Sequence, residues 1–292
     1  MARTSKANAL IVITYAVAIA ASLGVAWWLR DSMPVWATVL IADIVGTTVV
    51  FAFSRVFDNS SFYDAYWSVA PPVIAFGLVL GVAGSEPSSV RQGLVCLLVT
   101  AWGARLTYNW WRGWKGLAHE DWRYVNLRKT TGGWYWAVSY LGLHMFPTVL
   151  VYLGCLAMLP ALVDGTQPVS WLDGVAFGFT GLAIFIEARA DRELHDFVAT
   201  KPAPHEVLTT GLWGRCRHPN YLGEMMLWWG LSMFALASDA SAWWVLVGPV
   251  SITLLFVFIS IPMIDKRMLA KRPAYADIVR RYPKFLPLGP RA

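Results

Sequence analysis

The amino-acid sequence predicts an all-α integral membrane protein of eight, alternatively seven, transmembrane helices with a cytosolic cap of basic loops, and three observations carry that prediction. The first is composition: 57% of the 292 residues are hydrophobic, 14% are charged and the mean hydropathy is +0.49, far from the averages of soluble proteins. The second is a series of eight apolar stretches, each near the length a helix needs to cross about 30 Å of hydrocarbon. The third is the placement of Lys and Arg, which gather in alternate connections.

The stretches run over 8–29, 33–53, 66–84, 92–111, 134–163, 169–186, 221–237 and 242–264. The first is too long for the apolar core of a cleaved signal peptide, and Arg3 and Lys6 ahead of it read as the flank of a signal anchor. The fifth exceeds one upright crossing, and Pro147 within it removes a backbone donor, so a tilt or kink is expected there. In the seven-span alternative the first two stretches form one re-entrant hairpin. With an inner amino terminus, the inner segments hold Arg3 and Lys6, then Arg55, then Arg112, Lys115, Arg123, Arg128 and Lys129, then Arg189, Arg192, Lys201, Arg215 and Arg217, with eight more cations in the tail. The outer loops hold only Arg30 and Arg91. Both termini are therefore expected in the cytoplasm.

No internal repeat or soluble domain is visible, so residues 1–292 read as a single membrane domain. The long inner segments 112–133, 187–220 and 265–292 form a basic cap, and chemistry is expected at that face. Cations alone would only set orientation and touch anionic lipid. Ionisable and amide groups accompany them, however. Glu187, Asp191 and His195 recur every four residues, which puts them on one helix face, and Asn220 and Glu224 repeat that spacing where the seventh span begins. A carboxylate at membrane depth costs a few kcal/mol, so such groups face a cavity or a partner. Either carboxylate could instead tie helices together by accepting from Arg or Trp. Asp43, alone in the second span, reads equally as a helix–helix tie and receives no chemical role.

Absences narrow the chemistry. No two glycines are separated by one residue, which removes the GxGxxG fingerprint. The five histidines form no HxxxH or HExxH cluster, and Cys96, Cys155 and Cys216 fall in no CxxC spacing, so no metal site is expected. There is no GxSxG motif either.

The string Gly211-Leu212-Trp213-Gly214-Arg215-Cys216-Arg217-His218-Pro219-Asn220-Tyr221-Leu222-Gly223-Glu224 is the most informative. Together with Arg267, Lys271, Arg272, Pro273, Tyr275, Tyr282 and Pro283 in the tail, with Asp64-Ala65-Tyr66-Trp67-Ser68-Val69-Ala70-Pro71 and with Glu120-Asp121-Trp122-Arg123-Tyr124, it resembles the steroid 5-alpha-reductase C-terminal family, in particular its bacterial DUF1295 branch. The resemblance covers 64–292, the reductase-like region, and leaves 1–55 as extra amino-terminal helices.

The resemblance implies NADPH in a polar cavity closed by cytosolic loops, a hydrophobic substrate (a steroid or enone lipid) entering from the membrane, no nucleic-acid partner, and residence in a bacterial inner membrane. Carried over by position, it implies cofactor contacts at Arg105, Glu187, Asp191, Asn220, Arg267, Lys271 and Tyr275. Glu187 stands where the family has an amide and Lys271 where it has a histidine. The string itself adds Arg215, Arg217, His218, Tyr221 and Glu224, and Arg123 is a further guanidinium fork suited to phosphate.

Hydride transfer to an enone builds negative charge on the carbonyl oxygen, which needs a donor in a dry pocket. The family's glutamate and tyrosine for that task fall on Asp64 and near Trp102, with Tyr63 and Tyr66 as substitute donors. Asp64 reads equally as a cap of the third span. The expected activity is NADPH-dependent reduction of an activated carbon–carbon double bond, most like a 4-ene-3-oxosteroid reductase. A trans-2-enoyl-CoA or sterol C14 reductase is the near alternative. Isoprenylcysteine-type methyltransferases share the Arg-His-Pro-x-Tyr-x-Gly pattern but carry Glu-Glu where this chain has Asp265-Lys266-Arg267. A lipid-binding or scaffold protein without enzymatic activity is the third reading.

Overall fold

The computed structural model describes residues 2–81, 88–203 and 205–290, and among these every regular element is helical. The helices are α1 (Ala2–Leu29), α2 (Val35–Val56), α3 (Tyr66–Gly81), α4 (Ser89–Gly113), α5 (Trp122–Thr131), α6 (Tyr135–Val138), α7 (Phe146–Cys155), α8 (Trp171–Ala199), α9 (Pro219–Ser238), α10 (Val247–Leu255), α11 (Ile261–Lys271) and α12 (Tyr275–Arg281). Each of the eight predicted stretches falls mainly on helical backbone; residues 33–34, 156–157 and 169–170 lie outside the helices, and residues 82–84 of the third stretch lie outside the described residues.

Among the described residues, six helical segments are long and apolar enough to cross a membrane: Lys6–Leu29, Val35–Val56, Ser60–Gly81, Trp122–Asp164, Trp171–Ala199 and Ala242–Lys271. Helices α4 and α9 fall short of that measure of apolarity. The first carries Arg91, Gln92, Arg105 and Asn109, the second Glu224 and two tryptophans. Large apolar side chains stand exposed along the bundle, among them Val12, Val17, Leu80, Leu97, Phe185 and Phe258. Most exposed tryptophans sit at helix ends instead: Trp27 and Trp28 close α1, Trp134 precedes α6, Trp171 opens α8 and Trp243 precedes α10, while Trp229 stands midway along α9. Apolar flanks with aromatic ends are what a bilayer solvates.

The chain divides into two compact units, Met1–Thr166 and Gln167–Ala292. In the first, α1 packs on α2, α3 on α4, and α7 against both α2 and α3. Gly103 lets α4 lie directly on α3, since a Cβ there would stand 2.4 Å from the Ser68 carbonyl oxygen and 2.9 Å from Pro72 Cγ. In the second unit α8 packs on α9. The buried stripe Ala176, Thr180, Ala183, Glu187 and Ala190 steps by four and three along α8, and Gly223, Leu227, Gly230 and Phe234 do the same along α9. A Cβ on Gly223 would meet Glu187 Cβ at 2.7 Å and the Ala183 carbonyl oxygen at 2.8 Å. Small residues thus let two backbones approach closely, a recurrent membrane-helix device.

The bend expected at Pro147 takes the form of a widened turn. Residues Ser139–Met145 are π-helical, and Pro147 lies in the first turn of the α-helix that follows. The same arrangement recurs where the π turn Phe256–Ser260 precedes Pro262 in α11. A proline has no N–H to donate and its ring crowds the preceding turn, and the wider turn accommodates both. It also carries His144 into the core, with Nδ1 2.9 Å from the Ser139 carbonyl oxygen and Nε2 3.3 Å from Ser54 Oγ.

Candidate functional site

In the first unit the connection between α2 and α3 is held from the side. Asp58, at φ +50°, takes the chain out of α2 in a left-handed conformation. The Asn59 side chain then accepts from Ser61 N and donates to the carbonyl oxygens of Leu117 (2.9 Å) and His119 (3.0 Å). Ser60 N donates to Glu120 Oε1 at 2.8 Å, and Asp121 N donates to Ser61 Oγ at 3.0 Å. Arg128 spans Asp58 (2.8 Å) and Glu120 (3.3 Å), while the Ser60 hydroxyl meets Tyr135 Oη (2.7 Å) and Ser139 Oγ (3.0 Å).

This clamp fixes Asp64. Its carboxylate accepts a hydrogen bond from Tyr124 Oη, and the Arg123 guanidinium lies 3.8 Å away while also bonding Asp121, the N-cap of α5, at 2.7 Å. Among the described residues no backbone N–H of α3 bonds Asp64, so the capping role considered from sequence is not what its side chain does. The strings 64–71 and 120–124, remote in sequence, meet at the Asp64–Tyr124 bond. Tyr63 is buried with its hydroxyl 2.7 Å from Thr148 Oγ1, and Tyr66 is buried with its hydroxyl against Gly46. Trp102 is fully buried and packs edge-on to Trp67 at 5.8 Å, and Arg105 stands half-buried one turn further along α4.

In the second unit the organising residue is one that sequence reasoning did not select. Asp265, on α11, binds Arg217 Nη1 (2.9 Å) through Oδ2, and through Oδ1 both His218 Nε2 (3.0 Å) and Tyr275 Oη (2.8 Å). Two backbone bonds lock the same corner, Arg217 N to Pro283 O and His218 N to Lys284 O, each 3.0 Å. The string that opens α9 and the carboxy-terminal tail are thereby one structure. Burial and then the Asp265 carboxylate push the Tyr275 phenol above its ordinary range, so it stays a donor at any pH the protein meets. Burial raises the Cys216 thiol to about 11, which leaves it inert packing.

His218 is the N-cap of α9, and its ring stacks on Tyr221 at 5.5 Å and 10°. Asn220 lies half-buried in the first turn. Glu224 accepts from Trp228 Nε1 at 2.9 Å, one turn along the same helix, so this bond joins two turns of α9 and not two helices. Glu187 is buried on α8 against Gly223, Asp191 is half-buried one turn on, and His195 is exposed beside Asp196. Arg215 and Lys271 are exposed and Arg267 is half-buried, whereas Arg272 is spent on the carbonyl oxygens of Ala203 and Glu206. The buried Nε of Arg217 has no hydrogen-bond partner among the described residues. A guanidinium whose outer nitrogen is fixed by a carboxylate and whose Nε is left over can take one further acceptor.

Asp265 could have been suspected from the Asp265-Lys266-Arg267 run, but in sequence an acid flanked by cations reads as a solvated charge pattern. Glu120 and Tyr124 lie in the 120–124 string, but nothing local in the sequence shows that they fold onto residues 60–64.

Comparison with known proteins gives a family and a distant relative. A family model described as "Protein of unknown function (DUF1295)" matches residues 50–282. An uncharacterized protein of Schizosaccharomyces pombe is 25% identical over 280 residues, covering 88% of this chain and 80% of its own length. No solved structure matches.

Proposed function

This chain belongs to the DUF1295 family, and from that premise we propose that it is a membrane-embedded, NADPH-dependent reductase of an activated carbon–carbon double bond in a lipid, similar to the steroid 5-alpha-reductases. The observation that carries the reading is the Asp265 hub, because it binds the Arg217–His218 string to Tyr275 of the tail. Those are the segments on which the resemblance to the reductases was drawn.

The residues present suit an anionic dinucleotide. The leftover Nε of buried Arg217 needs an acceptor, and Arg215, Arg267 and Lys271 bring cations to the same unit. The start of α9 adds the positive end of a helix dipole. Asn220 offers the donor–acceptor pair that a carboxamide or ribose calls for, and the stacked His218–Tyr221 rings offer a flat face. Arg105, Glu187 and Asp191 are the further contacts the resemblance implies. NADPH supplies a hydride when bound. The chain's part is to hold the proton that must accompany it. Tyr124 is buried, and its Oη donates to Asp64 beside the Arg123 guanidinium, so the position of its proton is fixed by that carboxylate. We read the chain as crossing the membrane eight times, α4 and α9 included, with both termini in the cytoplasm.

The test is an assay of the purified protein in detergent with a 4-en-3-oxosteroid and NADPH. Loss of NADPH absorbance coupled to a saturated 3-oxosteroid product is the expected outcome. Transfer of a methyl group from S-adenosylmethionine to a prenylated cysteine, with no NADPH oxidation on any enone, would put the chain in the other class.

A further inference from the structure

We propose that the end of α2 carries a headgroup site for an anionic phospholipid, in which Arg55 receives the phosphate beside the Trp136 ring. Arg55 stands exposed in the last turn of α2. Its guanidinium carbon lies 5.0 Å from the centre of the Trp136 ring, and among the described residues no carboxylate, carbonyl or hydroxyl group bonds it. The Arg128 guanidinium carbon lies 5.2 Å from the centre of the same residue's ring and 4.0 Å from that of Tyr135. Two carboxylates answer Arg128, Asp58 at 2.8 Å and Glu120 at 3.3 Å. None answers Arg55. Two like charges drawn to one indole repel each other, and an anion taken up by the unanswered one relieves that repulsion. Lys129, exposed and next to Arg128 in sequence, adds a third cation at the end of α5.

The surroundings select a lipid over a soluble anion. Trp136 is fixed from the α2 side: Phe51 meets it edge-on at 6.0 Å and Tyr140 at 4.7 Å, and Tyr140 Oη bonds Thr48 Oγ1 at 3.0 Å. A guanidinium laid against a fixed ring loses little further freedom when it binds, and its fork matches two phosphate oxygens. Arg55 closes one segment that is apolar and long enough to cross a membrane, and 134–136 open the apolar part of another. Val56, the residue after Arg55, is 75% exposed, and Trp134, two residues before Trp136, is 76% exposed. Bare apolar side chains beside a cation at the ends of two spans mark the depth where acyl chains meet headgroups. A zwitterionic headgroup brings its own cation next to the phosphate, which Arg55 and Lys129 repel, so an anionic lipid is favoured. Charges that only orient the chain need no ring beside them. The site lies within the first unit and does not depend on the reductase reading.

The test is native mass spectrometry of the full chain, delipidated in non-ionic detergent and titrated with dioleoyl phosphatidylglycerol or dioleoyl phosphatidylcholine. The first phosphatidylglycerol should bind about tenfold more tightly than phosphatidylcholine, as one charge-assisted hydrogen bond would give, and inorganic phosphate in large excess should not displace it. Arg55→Gln should remove that preference. Lys115→Gln, which takes the same charge from another exposed cation, should retain it. Equal affinity of the wild-type protein for the two lipids overturns the proposal without recourse to a variant. Displacement by inorganic phosphate would make the site one for a soluble anion, and equal losses in the two variants would show a diffuse attraction to all the cations; either result overturns it.

Discussion

Asp265 holds three donors drawn from two segments, so its removal leaves the nearly buried Arg217 without its counter-charge and two further donors without their acceptor. Breaking such a pair costs more than the pair is worth, because the remaining charge stays desolvated. Asp265→Ala is expected to lower the stability of the detergent-solubilised protein by about 3 kcal/mol, and Tyr275→Phe by about 1 kcal/mol, both read from thermal unfolding. Equal and small effects would show that the hub does not hold the tail. At Asp64 the expectation is of another kind. Tyr124→Phe and Asp64→Ala should each slow the chemical step about tenfold to a hundredfold with NADPH affinity unchanged, the signature of an interaction made mainly in the transition state. Loss of nucleotide binding in either variant would remove Asp64 from the chemistry and move attention to Tyr63 and Tyr66. The sequence made Asp64, Arg217, His218 and Tyr275 legible, because each sits in a distinctive string. It hid Asp265 and Tyr124, whose importance comes from contacts made with residues 47–48 and 60 positions away.

At the scale of elements, the close pairing of α8 with α9 depends on absent side chains. A methyl group at Gly223 would meet backbone atoms of α8 at 2.8 Å, which cannot yield as a flexible side chain could. Gly223→Ala is expected to destabilise the protein by about 1–3 kcal/mol through overpacking, whereas Gly178→Ala, with nothing within 4 Å of the new methyl, should be neutral or slightly stabilising. Similar unfolding temperatures for the two variants would contradict the close approach. Hydropathy located the helices well, since apolar runs of this length have few other ways to satisfy their backbone in a membrane. It could not show the π turns. Pro147 announces a disturbance, but whether the helix kinks or widens depends on the packing of His144 against Ser54, a contact between residues 90 positions apart. The 3₁₀ turn at Ser60–Phe62 was equally hidden, because it is held by the backbone carbonyls of Leu117 and His119 and the Glu120 carboxylate on the α4–α5 connection.

For the whole molecule, charge asymmetry and the helical framework lead to one topological expectation. A reporter fused after Ala292 and another inserted near Lys115 should both read as cytoplasmic, because the basic connections leave no other orientation for eight crossings. A signal from the opposite side at either position contradicts the eight-span arrangement. Chemistry at the basic face leads to the central claim, that the cations around the Asp265 hub serve an anionic dinucleotide. The most direct measurement is equilibrium binding to the purified wild-type protein of NADPH, NADH and S-adenosylmethionine, at low and at high salt. The account predicts that NADPH binds more tightly than NADH, that raising the salt narrows this difference because exposed Arg and Lys read the extra phosphate, and that S-adenosylmethionine does not compete. Equal affinity for the two nucleotides, or displacement of NADPH by S-adenosylmethionine, would contradict it.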